Sequence, residues 1–147
     1  MRAFTIFLSA LVGVFLIDQA LKEIFLSGYE LISRCISLEL HINYGVAFSM
    51  FAFLGKWLKW IQLGLIIGIF IYIFYTQSIK EYPFSIGLIV GGAIGNLYDR
   101  FIHGGVIDYV AWHCGFNFAV FNFADVMIDL AVVWLLVLNF KPTLCKR

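Results

Sequence analysis

The chain has 147 residues, of which 63% are hydrophobic and 18% aromatic, and only 13% carry a charge. Its formal net charge is +1 and its mean hydropathy +0.96. A soluble domain is about half apolar and about a quarter charged, so a water-soluble core of this size has no room for so much apolar surface and the solvent is read as lipid. The near-zero charge supplies no basic field for nucleic acid. Three cysteines without a Cys-x-x-Cys spacing argue against a zinc cluster, and no cofactor is expected. No repeat or low-complexity run divides the chain, which reads as one integral membrane domain over residues 1–147.

Met1 to Ile17 is a basic residue followed by an apolar run, the pattern of a signal peptide. No small-x-small cleavage site closes it, and the run continues through Asp18, Gln19 and Lys22 to Leu26, so a retained first transmembrane helix is expected. Asp18 and Lys22 are four apart and share a helix face; the bland alternative is an ion pair that only neutralises a helix end. From Gly28 to Gly55 the character changes. Ile36, Leu38, Leu40 and Ile42 alternate with Ser37, Glu39, His41 and Asn43, the period of a half-buried strand. Its apolar side is expected toward lipid or protein and the alternate residues toward water. Gly45 permits a turn or close backbone approach, and Ser49 reads as a turn residue. Because an open sheet edge cannot face lipid, this unit belongs on the membrane surface.

Trp57 and Trp60 with Lys56 and Lys59 read as an interfacial anchor. A second helix is expected from there to Tyr75, with Gln62 as its only strongly polar interior group. Pro83 suits the first turn of a third helix, placed at about Phe84 to Tyr98, whose glycines permit close packing. Phe101 to Gly115 reads as a loop or re-entrant segment, and Phe116 to Phe140 as the fourth helix. The expected fold is therefore an all-α membrane protein of four transmembrane helices with a small extracytoplasmic β unit. Four spans put both termini on one side, and Arg2, Lys80, Lys141, Lys146 and Arg147 make that side cytoplasmic, with a modest bias.

Gly91 to Asp129 concentrates the ionisable groups: Asp99, Arg100, Asp108, Asp125 and Asp129, with Asn96 and Asn122 among them. Ionisable groups at membrane depth are costly and point to function. Asp108 and Asp125 are the candidates for chemistry. Two carboxylates close together in a poorly hydrated site share a proton; one then activates water, and the other hydrogen-bonds the scissile carbonyl and protonates the leaving amine. The competing reading is that each aspartate caps a helix or pairs with Arg100 or a lysine. His41, His103 and His113 lack the spacing of helical metal ligands. Cys35 and Cys114 are free to pair or not, as geometry decides.

Five blocks in order resemble the lipoprotein signal peptidase (signal peptidase II) family: D-Q-A-L-K (Asp18 to Lys22), N-Y-G-V-A-F (Asn43 to Phe48), G-G-A-I-G-N-L-Y-D-R (Gly91 to Arg100), V-I-D-Y (Val106 to Tyr109) and F-N-F-A-D (Phe121 to Asp125). The resemblance implies an intramembrane aspartyl endopeptidase of the bacterial inner membrane. Such an enzyme cuts before the lipidated cysteine of diacylglyceryl-modified prolipoproteins. The resemblance puts the catalytic pair on Asp108 and Asp125 and substrate-binding or supporting roles on Asp18, Lys22, Asn43, Gly45, Asn96, Asp99, Arg100, Asn122 and Ala124. It also implies contact with membrane lipid, inhibition by globomycin-type peptides, and no metal. Two positions depart from the family pattern: Leu21 stands where Ser or Thr usually precedes the lysine, and Asp129 is an extra carboxylate one turn beyond Asp125. The rival reading is a small proton-coupled transporter with Asp108, Asp125 and Arg100 as its relay.

Overall fold

The computed structural model describes residues 1–45, 50–116 and 118–140, without the side chain of Phe140. Positions 46–48 of the N-Y-G-V-A-F block, Ser49, and the basic residues Lys141, Lys146 and Arg147 lie outside the described residues. The chain runs α1 (Arg2–Leu26), β1 (Leu31–Ile32), β2 (Ile36–Asn43), a 3-10 stretch (Ala52–Trp57), α2 (Leu58–Thr76), α3 (Pro83–Ile102), β3 (Val106–Trp112) and α4 (Phe123–Phe140). It is mostly helical, with one small antiparallel sheet in the order β1-β2-β3.

Local chemistry sets the helix ends. Pro83 opens α3, where its missing N–H is no loss. α4 opens on a reciprocal cap: the Asp125 N–H donates to Asn122 Oδ1 at 3.0 Å, and the Asn122 N–H donates to Asp125 Oδ2 at 3.1 Å. The helix therefore begins at Phe123, not at Phe116 as the apolar run suggested. Phe121, before the cap, instead bridges Val110 of β3.

α3 is the central helix, packed against α1 on one side and α4 on another, with α2 lying more lightly against it. Glycines make the first two contacts possible. A Cβ at Gly87 would stand 2.6 Å from the Phe7 carbonyl oxygen, at Gly91 2.6 Å from that of Leu11, and at Gly95 2.6 Å from Asp18 Oδ2. Toward α4, a Cβ at Gly92 would lie 2.8 Å from the Ala124 carbonyl oxygen. Backbone thus meets backbone at Gly87, Gly91 and Gly92, and Gly95 makes room for the Asp18 carboxylate. α2 buries only Leu58, Ile66 and Ile73, and Ile73 closes a cluster with Phe7, Ile86 and Val90. Leu65, Ile71 and Phe74 of α2 and Val133, Trp134 and Leu136 of α4 point outward, exposed. Arg2–Leu26 and Ala52–Thr76 are long and apolar enough to cross a membrane.

The segment expected to be a loop or re-entrant element contains β3. Val106, Ile107, Tyr109, Val110 and Trp112 are strand-favouring types, and pairing with β2 satisfies a backbone that a loop would leave open. β2 forms as its alternation predicts, but its sidedness differs from expectation. Ile36, Leu40 and Ile42 are exposed, whereas Ser37 is 3% exposed and Asn43 turns toward Asp108. An irregularity between Leu38 and His41 interrupts the alternation. Ser37 and Asn43, at the two ends of the strand, face a polar interior, while the Glu39 and His41 side chains between them are 37% and 42% exposed, as Leu40 and Ile42 are. A disulfide joins Cys35 and Cys114 at the far end of the β2–β3 pair, which decides the pairing the sequence left open.

Candidate active site

The site is built on a buried ion cluster. Lys22 Nζ lies 2.6 Å from Asp18 Oδ2, its i−4 neighbour on α1, and 2.6 Å from Asp99 Oδ2 on α3. A third bond, at 3.0 Å, runs to Asn96 Oδ1. Lys22 is 1% exposed and both aspartates are equally hidden. Buried charges are tolerated only when paired and well hydrogen-bonded, and here each carboxylate accepts three bonds. Asp18 Oδ1 accepts the Ala124 N–H at 3.0 Å, Asp99 Oδ2 accepts the Ile107 N–H at 3.1 Å, and Gln19 Nε2 donates to both carboxylates. The cluster ties α1 and α3 to β3 and to the first turn of α4. Asp18 and Lys22 do more than neutralise a helix end, and Ala124 contributes through its backbone.

Asp108, third in β3, is 2% exposed. Its Oδ1 accepts from Asn122 Nδ2 at 2.7 Å and its Oδ2 from Asn43 Nδ2 at 3.0 Å. Asp125 Oδ1 accepts from Asn96 Nδ2 at 2.8 Å, and its Oδ2 takes the Asn122 N–H. Every one of these donors is neutral, and among the described residues neither carboxylate is ion-paired. Asn122 is the bridge: its side chain holds Asp108 while its backbone holds Asp125. Burial is the main force pushing the Asp108 carboxyl up to about 6, and the neighbouring Asp125 charge adds to it against the Asn43 and Asn122 hydrogen bonds. A carboxyl near 6 exchanges its proton close to neutral pH. Asp125 does cap α4, as the competing reading held, but it also opens with Asp108 on a cavity of about 410 Å³.

Arg100 is 8% exposed and lines that cavity. Its Nε donates to Gln62 Oε1 at 2.8 Å and its Nη2 to the Gly45 carbonyl at 2.5 Å. It thus holds a backbone carbonyl and not a carboxylate. The Gly45 N–H in turn donates to Asn43 Oδ1 at 2.9 Å, so Arg100, Gly45 and Asn43 fix the turn that presents Asn43 to Asp108. Asp129 lines the same cavity. His113 sits in the sheet-end loop, 3.3 Å from Ser37 Oγ, His41 lies 3.3 Å from Glu39 Oε1, and His103 ends α3. Among the described residues no three or more His, Cys, Asp or Glu side chains converge as metal ligands.

All the sequence-predicted site residues come together here. Three contributors were not singled out for the site: Gln19, Gln62 and Tyr109. Gln19 clamps the two scaffold aspartates, and Gln62 links Arg100 to the Ala93 carbonyl of α3 at 3.1 Å. The Tyr109 hydroxyl accepts the Phe123 N–H at 3.0 Å, and its ring stacks on Phe25 with centroids 4.2 Å apart. Burial pushes the Tyr109 phenol up to about 12, so it stays protonated. Each glutamine signals itself as an uncharged polar residue inside an apolar helix.

The family model described as signal peptidase (SPase) II matches residues 10–141. A lipoprotein signal peptidase from a Sulfurovum species is 62% identical over 140 residues, covering 95% of this chain and 96% of that protein. One from Sulfurimonas denitrificans is 58% identical, covering 99% and 95%, and one from Helicobacter pylori is 42% identical, covering 95% and 89%. A solved structure described as a bacterial membrane enzyme shares the fold at a TM-score of 0.77 and 24% identity, covering 94% of this chain and 89% of its own.

Proposed function

The chain belongs to the signal peptidase II family and is an aspartic endopeptidase that removes signal peptides from prolipoproteins, and from that premise we propose that Asp108 and Asp125 are its catalytic pair. One observation carries the reading: both carboxylates open on one cavity, bridged by Asn122 and held by neutral donors alone. The pair holds one proton between them. The ionised member takes a proton from water as its oxygen attacks the scissile carbonyl. The protonated member hydrogen-bonds the carbonyl oxygen and then gives its proton to the leaving nitrogen. Asn122, fully buried, orients the pair, and Asn43, which lines the cavity, orients Asp108 and hydrogen-bonds the extended peptide.

The bond cut precedes a cysteine carrying diacylglycerol, whose chains stay in lipid. Ile61 and Leu65 of α2 and Ile128 of α4 give the cavity an apolar wall that suits this substrate. Globomycin-type peptides would compete for the same space. All four helices cross the bacterial inner membrane as one domain, with both termini in the cytoplasm and the sheet and aspartate pair near the extracytoplasmic surface. The Cys35–Cys114 disulfide supports this side for the sheet, because such bonds persist in oxidising compartments. The helix count and Arg2 and Lys80 at the other end support it too.

The transporter reading is not favoured. A relay belongs near the bilayer midplane, often between two similar halves, whereas these carboxylates sit beside a sheet in a chain without a repeat. Protein purified in detergent should cleave a lipidated precursor peptide with no ion gradient and release a product with the modified cysteine at its N-terminus. Failure to cleave, together with gradient-driven uptake in vesicles, would overturn the assignment.

A further inference from the structure

A second cavity, of about 120 Å³, shares Arg100 as a wall with the catalytic one and is lined by Tyr44, Gly55, Lys56, Lys59, Arg100 and Gly104. Three of these six are cations and none is an acid. Lys56 lies in the last turn of the 3-10 stretch and Lys59 in the first turn of α2. Among the described residues, neither lysine has a carboxylate partner.

Their position is the informative fact. The N-terminus of a helix is its positive end, where acids are favoured and lysines are not. Neither the 3-10 stretch nor α2 has an acidic residue in its first turn or a side-chain cap. Lys59 therefore stands at a helix end that repels it, while Lys56 and Arg100 come to the same cavity from the last turns of the 3-10 stretch and of α3. An anion in the cavity relieves Lys59 and is met by the three cations together. The cations are also held in place. Lys59 Nζ stands 5.1 Å from the Phe101 ring centroid and 5.9 Å from that of Trp60. Arg100 uses Nε and Nη2 elsewhere, while its Nη1 makes no hydrogen bond to a described residue. Gly55 and Gly104 put no side chain into the space, and Tyr44 brings a hydroxyl. Exposed Trp57 and Trp60 beside it mark the depth of a membrane–water boundary.

We infer that this cavity binds a phosphate group, the chemistry shared by an anionic phospholipid headgroup and free phosphate. The site is separate from the aspartate pair, and its occupant is not the substrate's diacylglyceryl group, which bears no phosphate. It explains why Lys56 and Lys59 stand on the side where the positive-inside bias disfavours them.

The test uses the full-length protein in a neutral detergent, titrated with phosphatidylglycerol, with phosphatidylcholine of the same chains, or with inorganic phosphate. Melting temperature is read in each arm, and lipid retained per molecule by native mass spectrometry. Phosphatidylglycerol should raise the melting temperature and be retained, phosphatidylcholine should not, and Lys56→Gln with Lys59→Gln should weaken the effect about tenfold. Lys80→Gln, at the other end of α2, should leave it intact. If inorganic phosphate gives the same lysine-dependent shift, the site reads the phosphate alone; if only the lipid does, acyl chains contribute, and both results support the site. Equal response to the two lipids, or a response that survives the double substitution, overturns it. Should the double variant fold poorly, lipid retention measured on Lys56→Gln alone decides the question in the same way.

Discussion

Asp18 and Asp99 share Lys22 at 2.6 Å each and give their other lone pairs to backbone N–H groups and Gln19. Asp108 and Asp125, a few ångströms further along the same network, meet neutral amides and N–H groups only, and both open on a cavity. The two pairs are the same chemical group under opposite treatment. Where the cation sits decides which carboxylates are structural and which can trade a proton. Asn96 stands between them: its Oδ1 accepts from Lys22 and its Nδ2 donates to Asp125. It passes orientation from one pair to the other while keeping the ammonium away from the second.

The comparison is broken most sharply by exchanging each acid for its amide. Asp108→Asn and Asp125→Asn should each lower single-turnover cleavage by about 10²- to 10⁴-fold, the scale of a lost proton-transfer group, with the protein still folded. Near-normal turnover in either variant would remove that residue from the chemistry. Next in size is Lys22→Met, which leaves Asp18 and Asp99 facing each other unneutralised and should cost about 3–5 kcal/mol of unfolding free energy. An unchanged denaturation profile would mean that the cluster does not hold α1 to α3.

Asn122→Ala removes the bridge and the cap together and should lose about 1–3 kcal/mol, read as cleavage per folded molecule and as stability on the same sample. Asn43→Ala touches Asp108 alone and should spare stability; a loss of stability without loss of rate would make both asparagines structural. A pH series sharpens the contrast further. Asp108 is raised from 3.8 to about 6 on folding, so between those values the native state holds the extra proton. The stability this gives is complete below pH 4 and gone above pH 6. Asp108→Asn should accordingly be more stable than the parent at pH 8, by about 3 kcal/mol at most, and the gap should close near pH 4. A gap that widens on acidification would contradict the raised value. The smallest effect expected is for Arg100→Lys, about 1 kcal/mol, because a point charge cannot span Gln62 and the Gly45 carbonyl at once. An unchanged melting temperature and rate would make Arg100 a peripheral contact.

Much of this was legible in the residues. α1 ends at Leu26 as expected, and Pro83 begins α3 because capping and apolar runs are local properties. The misreadings come from contacts distant in sequence. β3 is seven residues with an aspartate third among them, and only pairing with β2, more than sixty positions earlier, makes it a strand. The start of α4 was readable: N-F-A-D at 122–125 is a reciprocal cap, outweighed by the apolar run before it. The inward turn of Ser37 and Asn43 on β2 comes from partners distant in sequence, His113 and Asp108, since alternation gives two faces but does not say what each one meets. In the site, the motifs marked the aspartates and asparagines; Gln19, Gln62 and Tyr109 act through partners on other elements, which no spacing reveals.

The glycine seam of α3 also fixes where the molecule can yield. Gly87, Gly91 and Gly92 meet backbone carbonyls and Gly95 meets the buried Asp18 carboxylate, so α1, α3 and α4 form a close-packed frame, on which Asp125 stands directly and to which Asp108 of β3 is tied through Asn122. Compliance is left to α2, which buries three residues and is pinned across the cavity by Gln62. The cavity is thus walled unequally: glycine contacts lock the helices behind the aspartates, while the wall facing them rests on three buried side chains and one glutamine.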